Sequence, residues 1–110
     1  MAISRNEHAE YSHWRPERVE IIDGEPVRFR DVCVHEFTVG DVDDPDIMAG
    51  APIWDWQQSE SGIWVMEHAE EKPYWTRHMD YNTWGHRYRI TARLSEKNEM
   101  FWRLKWGGIK

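Results

Sequence analysis

Several structures are excluded by what this chain of 110 residues lacks. Its only cysteine is Cys33, so neither an intrachain disulfide nor a thiolate zinc site can form. Cys33 lies in an apolar run and is predicted to be a small buried side chain. No apolar run approaches the ~18 residues that a membrane-spanning helix needs, and we expect no membrane partner. The first residues contain no apolar signal core, so we expect the protein to stay in the compartment where it is made.

The common catalytic and cofactor-binding motifs are also missing. There is no glycine-rich phosphate loop, no Gly-x-Ser-x-Gly elbow and no His-Glu-x-x-His pattern. The acidic run at residues 41–46 departs from a calcium-binding EF-hand, because Pro52 occupies the position of the essential glutamate. We therefore predict no cofactor and no metal, and we favour a protein that is not an enzyme. The last-ranked alternative is a small hydrolase that uses His78, His86 and Asp80.

Tryptophan and an uneven distribution of charge are the most unusual features that are present. Eight tryptophans predict an aromatic-rich core, and some of them are candidates for anchors in a protein interface. Residues 1–71 carry 5 Lys and Arg against 17 Asp and Glu, a net charge of −12, whereas residues 72–110 carry 9 against 3, a net charge of +6. Either the acidic half folds onto the basic half, which we favour, or a basic surface is kept for an anionic partner.

Hydrophobic alternation predicts a hairpin in the first half of the chain. Residues 1–18 show no sustained period and are expected to form a loosely ordered arm. Two alternating segments, residues 19–22 and 27–39, flank the Asp-Gly dipeptide at 23–24, which favours a tight hairpin turn. The apolar phase slips near Asp31, which predicts a β-bulge at that point.

One or two helices are predicted in the middle of the chain. Asp44 followed by Pro45 is typical of a helix N-cap with proline in the first turn, and a boundary is expected at residues 50–52. Residues 53–69 fit either a helix, in which Gly62 is a tolerated defect, or a second hairpin. The helix is favoured because glutamine, glutamate, methionine and alanine are frequent in this segment.

The last part of the chain predicts three strands. Residues 74–81, 85–94 and 100–106 alternate and are separated by short polar turns, which is typical of an antiparallel meander. The predicted fold is an α+β protein in which an antiparallel sheet, made of the N-terminal hairpin and this three-stranded meander, packs against one or two central helices. We expect a single domain over residues 19–107 and a short tail at residues 108–110.

The last two predicted strands separate apolar from cationic side chains. If both are strands, their tyrosine, isoleucine, leucine and tryptophan side chains share the core face. The opposite face carries the candidate residues for binding an anionic partner, which are Arg87, Arg89, Arg93, Phe101, Arg103 and Lys105. Cations with an aromatic ring among them are typical of sheets that neutralise phosphates and stack bases. Nucleic acid is therefore one partner to consider, beside an acidic protein and the chain's own carboxylates.

Two segments resemble a known family. Residues 34–45 (VHEFTVGDVDDP) and 54–69 (WDWQQSESGIWVMEHA) are similar to small uncharacterised proteins of contractile-tailed phages of marine cyanobacteria, and the likeness extends over residues 26–107. That family has no assigned activity, so the resemblance implies no catalytic or binding residue. It implies a phage product in the cytoplasm of an infected bacterium or in the virion. We predict a non-enzymatic interaction module that binds a protein partner or a second copy of itself.

Overall fold

The computed structural model describes residues 3–11 and 16–107 and has a mixed α/β architecture. Its strands and helices, in chain order, are β1 (Ser4–Arg5), α1 (Glu7–Tyr11), β2 (Arg18–Ile22), β3 (Glu25–Val39), α2 (Pro45–Gln58), α3 (Glu60–His68), β4 (Tyr74–Asp80), β5 (Gly85–Ser95) and α4 (Glu96–Trp106). The five strands form one sheet in the order β1-β4-β5-β3-β2. The expected α+β class is therefore observed, but the sheet is mixed because β1 runs parallel to β4.

Part of the segment predicted to be a loose arm belongs to the sheet. β1 pairs with the start of β4, the side chain of Ile3 is buried in the core, and the backbone N–H of Asn6 donates to the carbonyl of Trp75 at 2.9 Å. Residues 1–2 and 12–15 of the predicted arm lie outside the described residues, as does the predicted tail at 108–110.

The N-terminal hairpin is confirmed. β2 pairs antiparallel with β3 through a two-residue turn, in which Asp23 and Gly24 have φ angles of 52° and 81°. Positive φ at both turn residues is the geometry that an Asp-Gly pair favours, because its twist matches that of the flanking strands. The pairing of β3 with β5 shifts register between Cys33 and His35. A bulge is therefore present, a few residues later than the position near Asp31 that the sequence predicts.

The middle of the chain is helical, as favoured for residues 53–69, but the helices break elsewhere than expected. α2 begins at Pro45 and continues through Pro52, so the boundary predicted at residues 50–52 is wrong. The break falls at Ser59, whose hydroxyl accepts a hydrogen bond from the backbone N–H of Gly62 at 3.0 Å. That bond caps α3, because it satisfies one of the N–H groups that have no partner within the helix.

Gly62 is required by this junction and is more than a tolerated defect. A Cβ atom at this position would lie 1.7 Å from the carbonyl oxygen of Trp56, which is backbone and cannot move aside. We expect Gly62→Ala to lower the free energy of unfolding by about 1–3 kcal/mol, the range for overpacking a close contact. Gly50→Ala is the matched control, since Gly50 lies in α2 with nothing near its missing Cβ and the change should stabilise by about 0.5–1 kcal/mol. Urea denaturation measures both, and equal effects would contradict this account.

The core lies between one face of the sheet and the helices that cover it. The side chains of Tyr88, Ile90, Ala92 and Leu94 are fully or almost fully buried, as the period of two predicts for β5. Trp102 of α4 lies in the same cluster, together with buried side chains of β3, α2 and α3. The prediction of an apolar face for β5 is therefore confirmed.

The predicted third strand of the C-terminal meander is wrong, because residues 100–106 belong to α4. The hydroxyl of Ser95 accepts from the backbone N–H of Asn98 at 3.2 Å and caps the helix. Two glutamates lie in the first turn, two cations lie in the last, and Gly107 ends the helix with a φ of 73°. These are the residue preferences of both helix ends, and they outweigh a short alternating pattern.

Candidate functional site

The six residues predicted to bind an anionic partner do not lie on one surface. Arg87, Arg89 and Arg93 are on β5 and alternate with the buried core residues of that strand. Phe101, Arg103 and Lys105 are on α4, which packs against the opposite face of the sheet. The correction follows directly from the helical conformation of residues 100–106, because a helix cannot extend the cationic face of the sheet.

The three arginines of β5 are paired with carboxylates of the first half of the chain. Arg87 and Arg89 lie 3.5 and 3.4 Å from the two carboxylate oxygens of Glu36. Arg93 is 4% exposed and lies 3.1 Å from Asp31, its register partner on β3. Asp80 lies 4.0 Å from Arg87, so three carboxylates in all balance the three arginines of the row.

The cations of α4 are paired in the same way. Arg103 lies 2.9 Å from Glu99, and Lys105 lies 3.2 Å from Glu60. Glu99 also accepts hydrogen bonds from the guanidinium of Arg30, and these bonds foremost hold the pKa of Glu99 below its usual value. The charge asymmetry of the sequence is thus partly used inside the fold, because Glu36, Asp31 and Glu60 of the acidic half pair with cations of the basic half. Glu99, by contrast, belongs to the basic half itself.

The acidic run at residues 41–46 contributes an anchor for α2. The hydroxyl of Tyr88 donates to Asp46 at 2.6 Å, and the guanidinium of Arg77 donates to the same carboxylate at 3.0 Å. Burial raises the pKa of Asp46, but these partners outweigh it and lower the pKa overall. Asp44 accepts hydrogen bonds from the first turn of α2 through its carbonyl, and its side chain makes no capping bond.

The residues suggested for a hydrolase are not brought together. His78 is the register partner of Arg87 and His86 that of Met79, so the two imidazoles lie on opposite faces of the sheet. Within residues 3–11 and 16–107, no group of three His, Cys, Asp or Glu side chains is placed to hold a metal ion. Burial, as the largest cause, raises the pKa of Cys33, which favours the unreactive thiol.

A cavity of about 540 Å³ lies beside the bulge of β3. Trp56, Trp102 and Trp106 contribute to its lining, and the imidazole of His35 stacks on Trp56 with ring centroids 6.2 Å apart. Burial lowers the pKa of His35, so that this ring is neutral near pH 7. No described lysine or arginine lines the cavity, whereas Glu36 and Asp55 do, so its lining does not favour an anion.

A second candidate site is the part of the hairpin that extends beyond the rest of the sheet. The last residue of β5, Ser95, is the register partner of Phe29, so residues 25–28 of β3 pair with β2 only. We call β2 together with residues 25–28 the projecting ribbon. Every residue of β2 is exposed, including Val19 at 55% and Ile21 at 70%. An isolated two-stranded ribbon is marginally stable in water, so apolar side chains along it are unusual without a partner.

The turn determines which backbone groups of β2 face the open edge. In a two-residue hairpin the residues that flank the turn form a hydrogen-bonded pair, and the pairs then alternate. Ile22 and Glu25 flank the turn, so Ile21 with Pro26, and Val19 with its partner, are non-hydrogen-bonded pairs. The N–H and C=O groups of Val19 and Ile21 therefore point away from β3. In the described chain no other strand pairs with β2 on that side.

The two edges of the ribbon are protected differently. On the β3 edge Pro26 occupies an outward-facing position, and proline has no N–H to offer another strand. On the β2 edge the two outward-facing residues are the apolar Val19 and Ile21, and both keep their donors. The ribbon therefore offers one edge for strand pairing and blocks the other. Sequence reasoning found the hairpin but not this edge, although the position of the turn and of Pro26 already contains the signal.

The fold and the site together define a small α+β protein in which, among the described residues, the outer edge of β2 is open and apolar. None of its described helices has the length and apolar character needed to cross a membrane. No protein-family model, curated protein or solved structure matches the chain.

Proposed function

We propose that this protein is a non-enzymatic interaction module that binds an extended segment of a protein partner along the open edge of β2. The observation that carries the proposal is the pairing capacity of Val19 and Ile21, whose main-chain groups face outward beside exposed apolar side chains. In strand addition the main-chain hydrogen bonds supply affinity and the alternate side chains supply specificity. The blocked edge at Pro26 supports the same conclusion, since only one edge then has to be kept free for a partner.

The setting of this function rests on the resemblance to proteins of cyanobacterial phages. On that basis the partner is a protein of the infected host cytoplasm or of the virion. Nucleic-acid binding through Arg87, Arg89 and Arg93 stays a prediction without support, because each of these side chains already has a carboxylate partner.

Removal of one backbone donor tests strand addition directly. Val19→Pro deletes an N–H that faces the open edge, while the hydrogen bonds between β2 and β3 stay in place. Peptides selected from an unbiased display library on the native protein should bind Val19→Pro at least about tenfold more weakly, since a lost hydrogen bond and a steric block act together. Titration by isothermal calorimetry measures the difference, and amide exchange should show Val19 and Ile21 protected by the bound peptide.

Two variants control this experiment. Val19→Thr keeps the N–H and the β-branched shape, and binding should change no more than about twofold to threefold. Leu104→Asp changes an 81% exposed apolar side chain on α4, and it should have no effect on peptide binding. If the selected peptides bind Val19→Pro as well as they bind the native protein, the open edge of β2 is not the binding site.

A further inference from the structure

We propose that the segment bound on β2 is β2 of a second copy of this chain, paired antiparallel and centred on Val19. This inference rests on the proposed function, because it uses the same open edge. It goes further, since it identifies the partner and the register of pairing.

Symmetry limits the registers that two copies can adopt. The outward-facing residues of one strand must pair with outward-facing residues of the other, and a two-fold axis must relate the two strands. Within β2 the axis can therefore pass through Val19, through Ile21, or through Glu20 between them.

Charge selects one of these three registers. An axis at Glu20 places that carboxylate directly opposite its own copy, and like charges at that distance repel. An axis at Ile21 places Val19 opposite Asp23 of the second copy, which gives the ribbon no favourable charge pair. An axis at Val19 places Arg18 opposite Glu20 of the second copy and Glu20 opposite its Arg18, so that two ion pairs flank a Val19–Val19 contact.

The shape of the molecule permits this arrangement. β2 packs along β3 and has no comparable contact with another element of the described chain, so its outer edge is accessible along its length. The ribbon extends past β5 by the four residues 25–28, or about 13 Å at the rise of a strand. With an axis at Val19, the two bodies lie at opposite ends of the joined ribbons. Residues 18–20 of the two β2 strands then pair with each other, and Ile21 lies opposite Glu17 of the second copy. The two sheets become one continuous sheet.

The contact between the two β2 strands is small, so we expect weak association of the two copies. Only residues 18–20 of each β2 pair with the other β2, so the contact buries less surface than a standard stable interface. The dimer should therefore be reversible and should appear with rising protein concentration in sedimentation velocity, over a range from about 1 µM to 1 mM.

A charge exchange tests the register. Arg18→Glu and Glu20→Arg each create two like-charge contacts across the axis, and each should raise the dimer dissociation constant about tenfold or more. The double variant Arg18→Glu/Glu20→Arg restores opposite charges and should return within about threefold of the native value. Arg18 also pairs in its own chain, with Glu70 at 2.8 Å and with Glu20 at 3.6 Å. Glu70→Gln controls for the first contact and should leave the dimer unchanged. Urea denaturation of each single variant at a concentration where it is monomeric controls for the second.

A cysteine pair reads the register without depending on charge. In a Cys33→Ser background, Val19→Cys places two thiols opposite each other, at a Cα separation of about 5.5 Å that a disulfide can bridge. Ile21→Cys places its two thiols about 13 Å apart and should not cross-link. Rapid oxidation of Val19→Cys alone to a disulfide dimer is the expected result.

The possible results separate this inference from the proposed function. A protein that stays monomeric up to about 1 mM, or a double variant as weak as the single ones, overturns homotypic pairing. If library peptides still bind in a way that Val19→Pro abolishes, strand addition stands with a different partner. If Val19→Pro changes neither peptide binding nor dimerisation, both proposals fail.

Discussion

Trp102→Ala is expected to lower the free energy of unfolding by about 3–5 kcal/mol, the range for removing a large aromatic side chain from a core. Trp102 is 1% exposed, and its indole N–H donates to the hydroxyl of Ser61 at 3.3 Å. Its removal also widens the cavity beside the β3 bulge, which it lines, so the surrounding side chains must collapse or leave a void. A domain of this size is stable by roughly 5–15 kcal/mol in total, so this loss is a large fraction of its stability.

Urea denaturation followed by tryptophan fluorescence and circular dichroism measures this loss. Leu104→Ala on the same helix is the matched control, because Leu104 is 81% exposed and its truncation should change stability by no more than about 0.5 kcal/mol. Similar losses for both variants would mean that α4 does not pack against the sheet through Trp102.

The sequence predicts the elements whose local signals agree with their final packing. The hairpin of β2 and β3 follows from its Asp-Gly turn, and β5 follows from the period of two of its apolar residues. In both cases the turn chemistry, the period and the burial point to the same structure. The parallel pairing of β1 with β4 was not predictable in this way, because β1 is two residues long and gives no period to detect.

In α4 the core residues were predicted correctly, but the segment that carries them was predicted to be a strand. Alternation over residues 100–106 puts Trp102 and Trp106 on the inner face, and both do contact the core. The same two residues are four apart, which is also the spacing of one helix face. Seven residues are too few to separate the two periods, so the caps at Ser95 and Gly107 are the decisive evidence.

The open edge of β2 was not predicted, because the charge pattern indicated the arginine face of β5 as the binding surface. A row of arginines indicates an anionic partner only if carboxylates of the same chain do not pair with it. Which carboxylates lie beside the arginines depends on the register between strands, and the sequence does not show that register. Glu36 and Asp31 pair with all three arginines of this row because β3 lies next to β5. The projecting ribbon depends equally on a difference in length between those two strands, which periodicity alone does not reveal.

The ion pair between Asp31 and Arg93 should be nearly as important for stability as Trp102. Asp31→Ala leaves the 4% exposed guanidinium of Arg93 without its carboxylate, and we expect a loss of about 3–5 kcal/mol, as for other broken buried pairs. The hydrogen bond from Arg93 to the carbonyl of Pro16, at 2.9 Å, satisfies one of its donors but does not neutralise its charge.

A double substitution separates the broken pair from lost packing. Asp31→Leu/Arg93→Met replaces both charges by apolar side chains, and it should lower the free energy of unfolding much less than Asp31→Ala alone, because no buried charge is left without a partner.

Asp31 lies two residues from Phe29, where the projecting ribbon leaves the sheet, so Asp31→Ala should also increase hydrogen exchange of β2 amides that bond to β3. If urea denaturation shows that Asp31→Ala lowers the free energy of unfolding by less than about 1 kcal/mol, the guanidinium of Arg93 reaches solvent. Arg93 would then again be a candidate for binding an anion.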